Sequence, residues 1–490
     1  MTSQAASATT LCGRYGKLWA KGHETLLNRR ILSIKSTDKK IDEKKNTATT
    51  FLQGLVTSNL LTPPTLPRAN YDNDNNNDTD TSNAGGDNGS HFYSIRSTCF
   101  LDNRGRAITD AMLWKVHNSY FLDVPDDTAD TILQHLNQYK LRRSKVEITD
   151  VSNQVYSHAI YGTRYVGPAP STPNFDLLAA VDPRHPSLGL RCLSFGDEVE
   201  AHVRKHDFSE MFDYEQAFSS SPNANDGAAD VITSSAFPSA QGSYELIRRL
   251  SGIAEGSELS GKTALECNQE WLNAVSFVKG CYLGQELTAR SHFTGAIRKR
   301  ILPLFLLDQT TQVPFHWRRQ QALLRQDDDN AVDNNAVHVL PTLTASEAGA
   351  IMALLCGEQI APSIDANGDD SSNSAEEQMQ KQKMDERFLA LTNQIVNDVK
   401  AGSKLVDGES GKTLGEVVSA PVAGTTVLLA QLRLENILPK KSWKVTNKVK
   451  IQDADGEEIM RDLRCLPYFP LWWPRWLDER TGKEKEDDQS

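Results

Sequence analysis

Three observations predict an α+β fold. Strand-like and helix-like patterns alternate through the first half of the chain, short strand-like runs dominate after Ile301, and polar tracts interrupt both regions. With 490 residues, the chain has room for about three domains. Only 39 % of it is hydrophobic and the mean hydropathy is −0.48, so the compact portion is smaller than the length suggests.

The elements read in order as follows. Arg30-Ile-Leu-Ser-Ile is strand-like, and Phe51-Leu-Gln-Gly-Leu-Val is a short helix ending near Thr57-Ser-Asn. Ser97 to Leu101, a turn at Asn103-Arg-Gly, and Ala107 to Val116 form a hairpin, with Tyr120-Phe-Leu-Asp-Val as a third strand. Asp127 to Tyr139 is helical, with Ile132, Leu133 and Leu136 on one face and Asp126 or Asp127 as its cap. Val146 to Val151 is another strand. Tyr244, Ile247 and Leu250 recur at helical spacing, with Gly252 placed to end that helix. Phe388, Leu391, Ile395 and Val399 define a later amphipathic helix. The short runs at Ala401, Gly415, Val427 and Lys444 to Ile451 predict a small β-barrel.

Four tracts bury too little to offset the entropy of ordering them and read as surface insertions: 67–90, 215–240, 325–337 and 363–386. The first holds seven Asn and five Asp, with almost nothing apolar. Charge narrows the function. A net −11 excludes non-specific attraction to nucleic acid or to an anionic membrane. The longest strongly apolar run, Ile301 to Leu307, is far short of the roughly 20 residues of a membrane span, so no membrane insertion is expected. Seven widely spaced cysteines with no C-x-x-C argue for reduced thiols rather than a disulfide scaffold or zinc finger. The first 35 residues carry Arg14, Lys17, Lys21, Arg29, Arg30 and Lys35 against Glu24 alone, which fits either an organellar transit peptide or a disordered N-terminus.

The densest chemistry is Phe277-Val-Lys-Gly-Cys-Tyr-Leu-Gly-Gln-Glu-Leu-Thr-Ala-Arg290. In an extended backbone Lys279 and Cys281 share a side, and an ammonium beside a thiol favours the thiolate. Gly280 and Gly284 allow close approach or positive φ, and Glu286 and Arg290 are spaced to pair on a helix. A buried structural cysteine between turn glycines fits the same spacing. An iron–sulfur cluster needs four ligands in all, and the nearest other cysteine is Cys267, so a cluster at Cys281 would be shared with a partner. Gly256-Ser-Glu-Leu-Ser-Gly-Lys-Thr263 matches a P-loop letter for letter, but a helix end and a polar turn precede it where a buried strand is needed. His202 and His206, with Asp207 adjacent, have the spacing of two ligands on one helical face, yet lack the glutamate of a zincin motif.

Lys279-Gly-Cys-Tyr-Leu-Gly-Gln-Glu286 resembles the signature of the folate-binding YgfZ/GcvT-like family, in particular its mitochondrial iron–sulfur cluster assembly factor branch. Flanking segments resemble it in order: Phe51-Leu-Gln-Gly-Leu-Val-Thr-Ser-Asn59, Phe100-Leu-Asp-x-x-Gly-Arg106, Asp182-Pro-Arg184 with Leu188-Gly-x-Arg191, Tyr244-x-x-x-Arg248, Gly252-Ile-Ala-Glu-Gly256, Gly295-x-Ile-Arg-Lys-Arg300 and Trp472-Trp-Pro474. The resemblance runs from about residue 28 to 476 across the four tracts. It divides the chain into a transit or disordered segment 1–27, a folate-binding region 28–300, a barrel domain 301–476 and a polar tail 477–490.

The resemblance implies an aminomethyltransferase-like multi-domain fold around a central opening, with a C-terminal β-barrel. It implies tetrahydrofolate as the cofactor, the mitochondrial matrix as the location, A-type iron–sulfur scaffold proteins as partners and 4Fe–4S apoproteins as clients. Cys281 becomes the residue of cluster or redox chemistry, as a ligand of a transient cluster shared with a partner. Lys279, Gly280, Gln285, Glu286 and Arg290 would shape the same site, with Tyr244 and Arg248 in the folate pocket. Asp110 falls near the acid that the aminomethyltransferase branch keeps against the pterin. Ser58 and Asn59 depart from the Asn and Asp common in the family. The resemblance therefore favours an assembly factor over an aminomethyl-transferring enzyme, and it places a variable turn at the P-loop look-alike.

Overall fold

The α+β expectation is met by a computed structural model that describes residues 22–38, 46–64, 93–161, 177–185, 188–196, 242–309, 311, 342–343, 347–349, 351–352, 375–419, 421–422, 425–436 and 448–474. The first 21 residues, the tail 477–490, the tracts 67–90, 215–240 and 325–337, and His202 and His206 lie outside the described residues. The chain divides into two units, one of residues 23–239 with 272–285, the other of 1–22, 240–271 and 286–490.

The first unit is built on two sheets. Strands β1 (Gly22–Thr25), β2 (Arg29–Ser36), β3 (Tyr93–Leu101), β4 (Ala107–Val116), β5 (Ser119–Pro125), β6 (Val146–Asp150), β7 (Val155–Tyr161), β8 (Leu177–Val181) and β9 (Leu190–Phe195) form a five-stranded sheet, β3-β4-β5-β2-β6, and a four-stranded one, β1-β7-β9-β8. Side chains alternate across each strand, so the five-stranded sheet has two buried faces. Leu32, Ile34, Phe100, Leu113 and Leu122 pack under helices α1 (Thr47–Gln53) and α2 (Asp126–Tyr139). Ile31, Ile95, Met112 and Trp114 meet Leu178 and Leu193 of the second sheet.

The hairpin turn falls as the sequence predicts. Asp102 Oδ1 accepts the N–H groups of Arg104 and Arg106, and Gly105 takes φ +80°. Two helix ends differ from the reading. Helix α1 begins four residues before Phe51, because the Asn46 side chain accepts from the Ala48 and Thr49 N–H groups and starts the helix there. Helix α2 has Pro125 as its N-cap with no side-chain cap, and Asp126 and Asp127 occupy its first turn, where they complement the helix dipole.

In the second unit, β10 (Lys299–Asp308), β12 (Lys404–Asp407), β13 (Thr413–Val417), β14 (Val427–Arg433), β15 (Val449–Gln452) and β16 (Glu458–Pro467) close into a barrel of order β10-β14-β13-β12-β15-β16, antiparallel at every joint. Leu302, Leu304 and Leu306 point inward against Leu428, Ala430, Ile451 and Met460. Pro303 pairs with β14 only, and β10 gains its second partner at Leu304, so the missing proline N–H leaves no gap in the ladder. The short β11 (Thr342–Leu343) and β17 (Phe469–Pro470) pair in parallel beside it.

Helix α3 (Ser243–Leu250) ends as expected at Gly252, whose φ is +69° and whose N–H reaches the Arg249 carbonyl. Helix α4 spans Gln285–Phe293 and helix α5 spans Ala375–Asp398. The latter begins inside the tract read as an unpacked insertion at 363–386. Its Glu-, Gln-, Lys- and Met-rich start has high intrinsic helix propensity and no Gly, Pro or β-branched residue up to Arg387, so lack of apolar residues did not mean lack of helix. Further along, Leu391, Ile395 and Val399 join the barrel core.

Candidate functional site

The first unit gathers the signature segment around the end of α1. Beyond Gly54 the helix has free carbonyls and no helical N–H to meet them. A lysine supplies the donors. The Lys279 ammonium reaches the carbonyl oxygens of Gln53 (2.8 Å), Val56 (2.5 Å) and Ser58 (2.9 Å), and the side chain is buried. From β3, the Arg96 guanidinium takes the next carbonyls of the same loop, those of Asn59 and of Thr62, the latter at 2.9 Å. Two cations thus hold five carbonyls within residues 53–62, and among the described residues neither is paired with a carboxylate. Burial, with Arg96 adding like charge, pushes the Lys279 amine down to about 7. Its three carbonyl acceptors pull the other way, since an ammonium has three protons to donate and an amine two. Burial likewise lowers Arg96 from its ordinary value.

The loop is fixed from its own side as well. Gln53 donates to the Asn59 side chain at 3.0 Å and accepts the Leu60 N–H at 2.8 Å. Thr57 Oγ1 donates to the Ala274 carbonyl at 2.6 Å, the Ser276 N–H reaches the Thr57 carbonyl, and the Leu283 N–H reaches that of Gly54. Gly284 has φ +77°, and a Cβ there would stand 2.7 Å from the Asp102 carbonyl and 2.9 Å from Gly105, so the β3–β4 turn can seat only against a glycine. Gly280 differs: nothing lies within 4 Å of where its Cβ would be.

The backbone bends between Phe277 and Lys279, and this overturns the expected placement of lysine and thiol on one side. Lys279 is buried on carbonyls while Cys281 is exposed. The alternative of a buried structural cysteine fails on the same observation. The other described cysteines, Cys99, Cys192, Cys267 and Cys465, are all buried, and burial pushes the Cys192 and Cys465 thiols up to about 12. Asp110 stands in β4 opposite Cys99 and is fully buried. Well upstream of the signature, Asp182 explains its own motif: the carboxylate takes Arg184 at 2.8 Å and Arg191 at 3.2 Å, all buried.

Tyr244 and Arg248 belong to the second unit. The five N–H groups of Arg248 are all engaged, by both oxygens of Glu245, both oxygens of Glu258 and the Ile253 carbonyl, at 2.6–3.1 Å. Tyr244 donates to Glu255 at 2.8 Å. Burial works against the Arg248 charge, but Glu245, Glu258 and Glu255 more than reverse this and hold it well above its ordinary value. The same network fixes the P-loop look-alike. Gly256–Leu259 is a 3₁₀ turn following α3, and Glu258 accepts the Glu255 N–H at 2.9 Å, so the strand–loop–helix of a nucleotide site is absent there. On α4, Glu286 and Arg290 are both exposed, and they form no ion pair among the described residues. The site residue that sequence reading missed is Arg96; an arginine between Ile95 and Ser97 in a strand that is otherwise apolar or hydroxylated is the signal it left.

No family model matches the chain. Among curated proteins, the chain is 29 % identical over 310 residues to "Iron-sulfur cluster assembly factor IBA57 homolog, mitochondrial" of Aspergillus oryzae, covering 58 % of this chain and 57 % of that protein. The proteins of the same name from Aspergillus fumigatus (30 % over 312 residues, 58 % and 57 %) and Neurospora crassa (31 % over 301 residues, 58 % and 54 %) match similarly. Over that stretch the chain is similar to these assembly factors. The match spans a little over half the length of these relatives. Mitochondrial localisation follows from that similarity, since these proteins are named as mitochondrial. Among solved structures, the glycine cleavage system aminomethyltransferase T of Bartonella henselae matches at a TM-score of 0.48 and 9 % identity, over 94 % of this chain and 88 % of that one. Among the described residues, no helix is long and apolar enough to cross a membrane.

Proposed function

We propose that this chain is a mitochondrial iron–sulfur cluster assembly factor that works through Cys281, with 4Fe–4S apoproteins as clients and A-type scaffold proteins as partners. The observation that carries the reading is the exposure of Cys281 on the signature segment, beside four described cysteines that are all buried. A thiol at the surface can share a cluster with ligands of a second protein; one cysteine alone cannot complete the four ligands a cluster needs. The cluster is cargo in this reading, passed on rather than kept.

Tetrahydrofolate is the proposed small-molecule ligand, and the carried-over residues bear on it unequally. Arg248, Tyr244 and Lys279 have their polar hydrogens engaged inside the chain, so none of the three is placed to donate to the ligand. Gly280, Gln285, Glu286 and Arg290 are the members left to contact it. A bound folate would supply a one-carbon carrier. A second reading, a transferase that uses it so, rests on Asp110, a buried acid suited to general acid work.

Complementation separates the two. In cells depleted of the endogenous factor, Cys281→Ser is expected to abolish recovery of 4Fe–4S enzyme activity, while Asp110→Asn at equal abundance leaves it in place. The reverse pattern favours the transferase. Thermal unfolding with tetrahydrofolate at a hundredfold excess over Kd should stabilise the chain by about 2.7 kcal/mol, and Mg-ATP should not.

A further inference from the structure

Cys281 stands on a short arch. The segment from Ala274 to Leu283 is tied to α1 and its loop at four places: Thr57 Oγ1 to the Ala274 carbonyl, the Ser276 N–H to Thr57, the Lys279 ammonium to three carbonyls, and the Leu283 N–H to Gly54 at 2.9 Å. Gly280 and Cys281 lie exposed between the last two ties, and the Tyr282 ring lies 4.7 Å from the ammonium. Gly280 meets nothing that would brace the arch from outside.

We propose that Lys279 is a positioning residue, whose ammonium is the abutment of this arch and fixes where Cys281 is presented, rather than a charge that activates the thiol by contact. The inference rests on the reading that Cys281 is the working residue. Three donors to one helix end give the arch a rigid footing that a lone backbone bond at Leu283 would not. The charged and titratable groups that face the amine among the described residues are Arg96 of β3 and the Tyr282 ring; the α1 loop offers carbonyls alone.

The test is a nitroxide on Cys281, in a chain with Cys12 and Cys356 replaced by serine, with its spectrum recorded at one fixed pH. The mobile fraction should rise in Lys279→Met, which leaves the Gln53, Val56 and Ser58 carbonyls without their donor. A nitroxide placed instead on the exposed Glu409→Cys, with Cys281 replaced by serine, should keep its native spectrum in Lys279→Met. An unchanged Cys281 spectrum in Lys279→Met, or an equal change at both positions, overturns the proposal; should that variant not fold, an unchanged Cys281 spectrum in Lys279→Gln, which has two hydrogens to donate in place of three, does so. The spectrum does not depend on cluster chemistry. If the mobile fraction rises while Cys281→Ser still matures clients, the assembly reading fails alone; if it is unchanged while Cys281→Ser is inactive, the positioning role fails alone.

Discussion

Arg248 and Lys279 are both buried cations carried by family-like motifs, and the chain satisfies them in opposite ways. Arg248 is saturated by Glu245, Glu258 and one carbonyl, with Glu255 close by, inside a network that also takes in Arg249. Lys279 meets carbonyl dipoles and the face of the Tyr282 ring, beside a second cation and, among the described residues, no carboxylate. Charge against charge gives a firm joint whose parts cannot be removed singly. Charge against dipoles gives a joint that holds without fixing the protonation state. The first suits a wall; the second suits a place where something is presented.

The largest effect expected from breaking this contrast is at Arg248. Arg248→Met leaves three glutamates facing one another without their main counter-charge and should cost about 3–5 kcal/mol, read as a lowered denaturation midpoint. Lys279→Met removes a buried charge together with its bonds, so its loss of stability should be clearly smaller. Equal losses would erase the distinction. Next comes Gly284→Ala, where positive φ and the Asp102 carbonyl together should cost about 2 kcal/mol by the same measurement.

Acid should separate the two joints further. Burial opposes the Glu245 charge, yet Arg248 and Arg249 hold its carboxyl below the ordinary value. The stability it adds is therefore full above the ordinary carboxylate range, neutral pH included, and is lost as pH falls through the folded value. Unfolding midpoints measured on the acid side should drop in the native chain and drop less in Glu245→Gln. The smallest effect belongs to Gly280→Ala, within about 0.5 kcal/mol of the native chain, because open space receives the methyl group.

These particulars also mark what was legible beforehand. The barrel and the β3–β4 hairpin followed from alternation and turn chemistry, because a half-buried strand writes its period into the sequence. The Tyr244–Leu250 helix was legible for the same reason, down to its terminal glycine. Periodicity failed where polar residues do the work. Asn46 starts α1 among threonines, and Ala375 to Arg387 is helical with few apolar residues. The signature was readable as a resemblance, but the bend that sends Lys279 inward and Cys281 outward was not. Two residues of spacing fix a direction only in regular backbone, and Arg96, the partner that matters to Lys279, lies far away in sequence.

The barrel's connectivity bears on how the chain comes to be folded at all. Its opening strand, β10, finds one neighbour at Val427–Arg433 and the other only at Glu458–Pro467. Until that last strand arrives, a run of apolar residues from Ile301 to Leu307 has one unpaired edge, the kind of surface that recruits other chains. Closure of so distant a pair is slow, since the loop entropy is lost before any contact compensates for it. A chain cut short between Asp308 and Glu458 could fold the first unit yet would carry an open sheet in the second. Such truncations should accumulate as aggregates rather than as partly active protein.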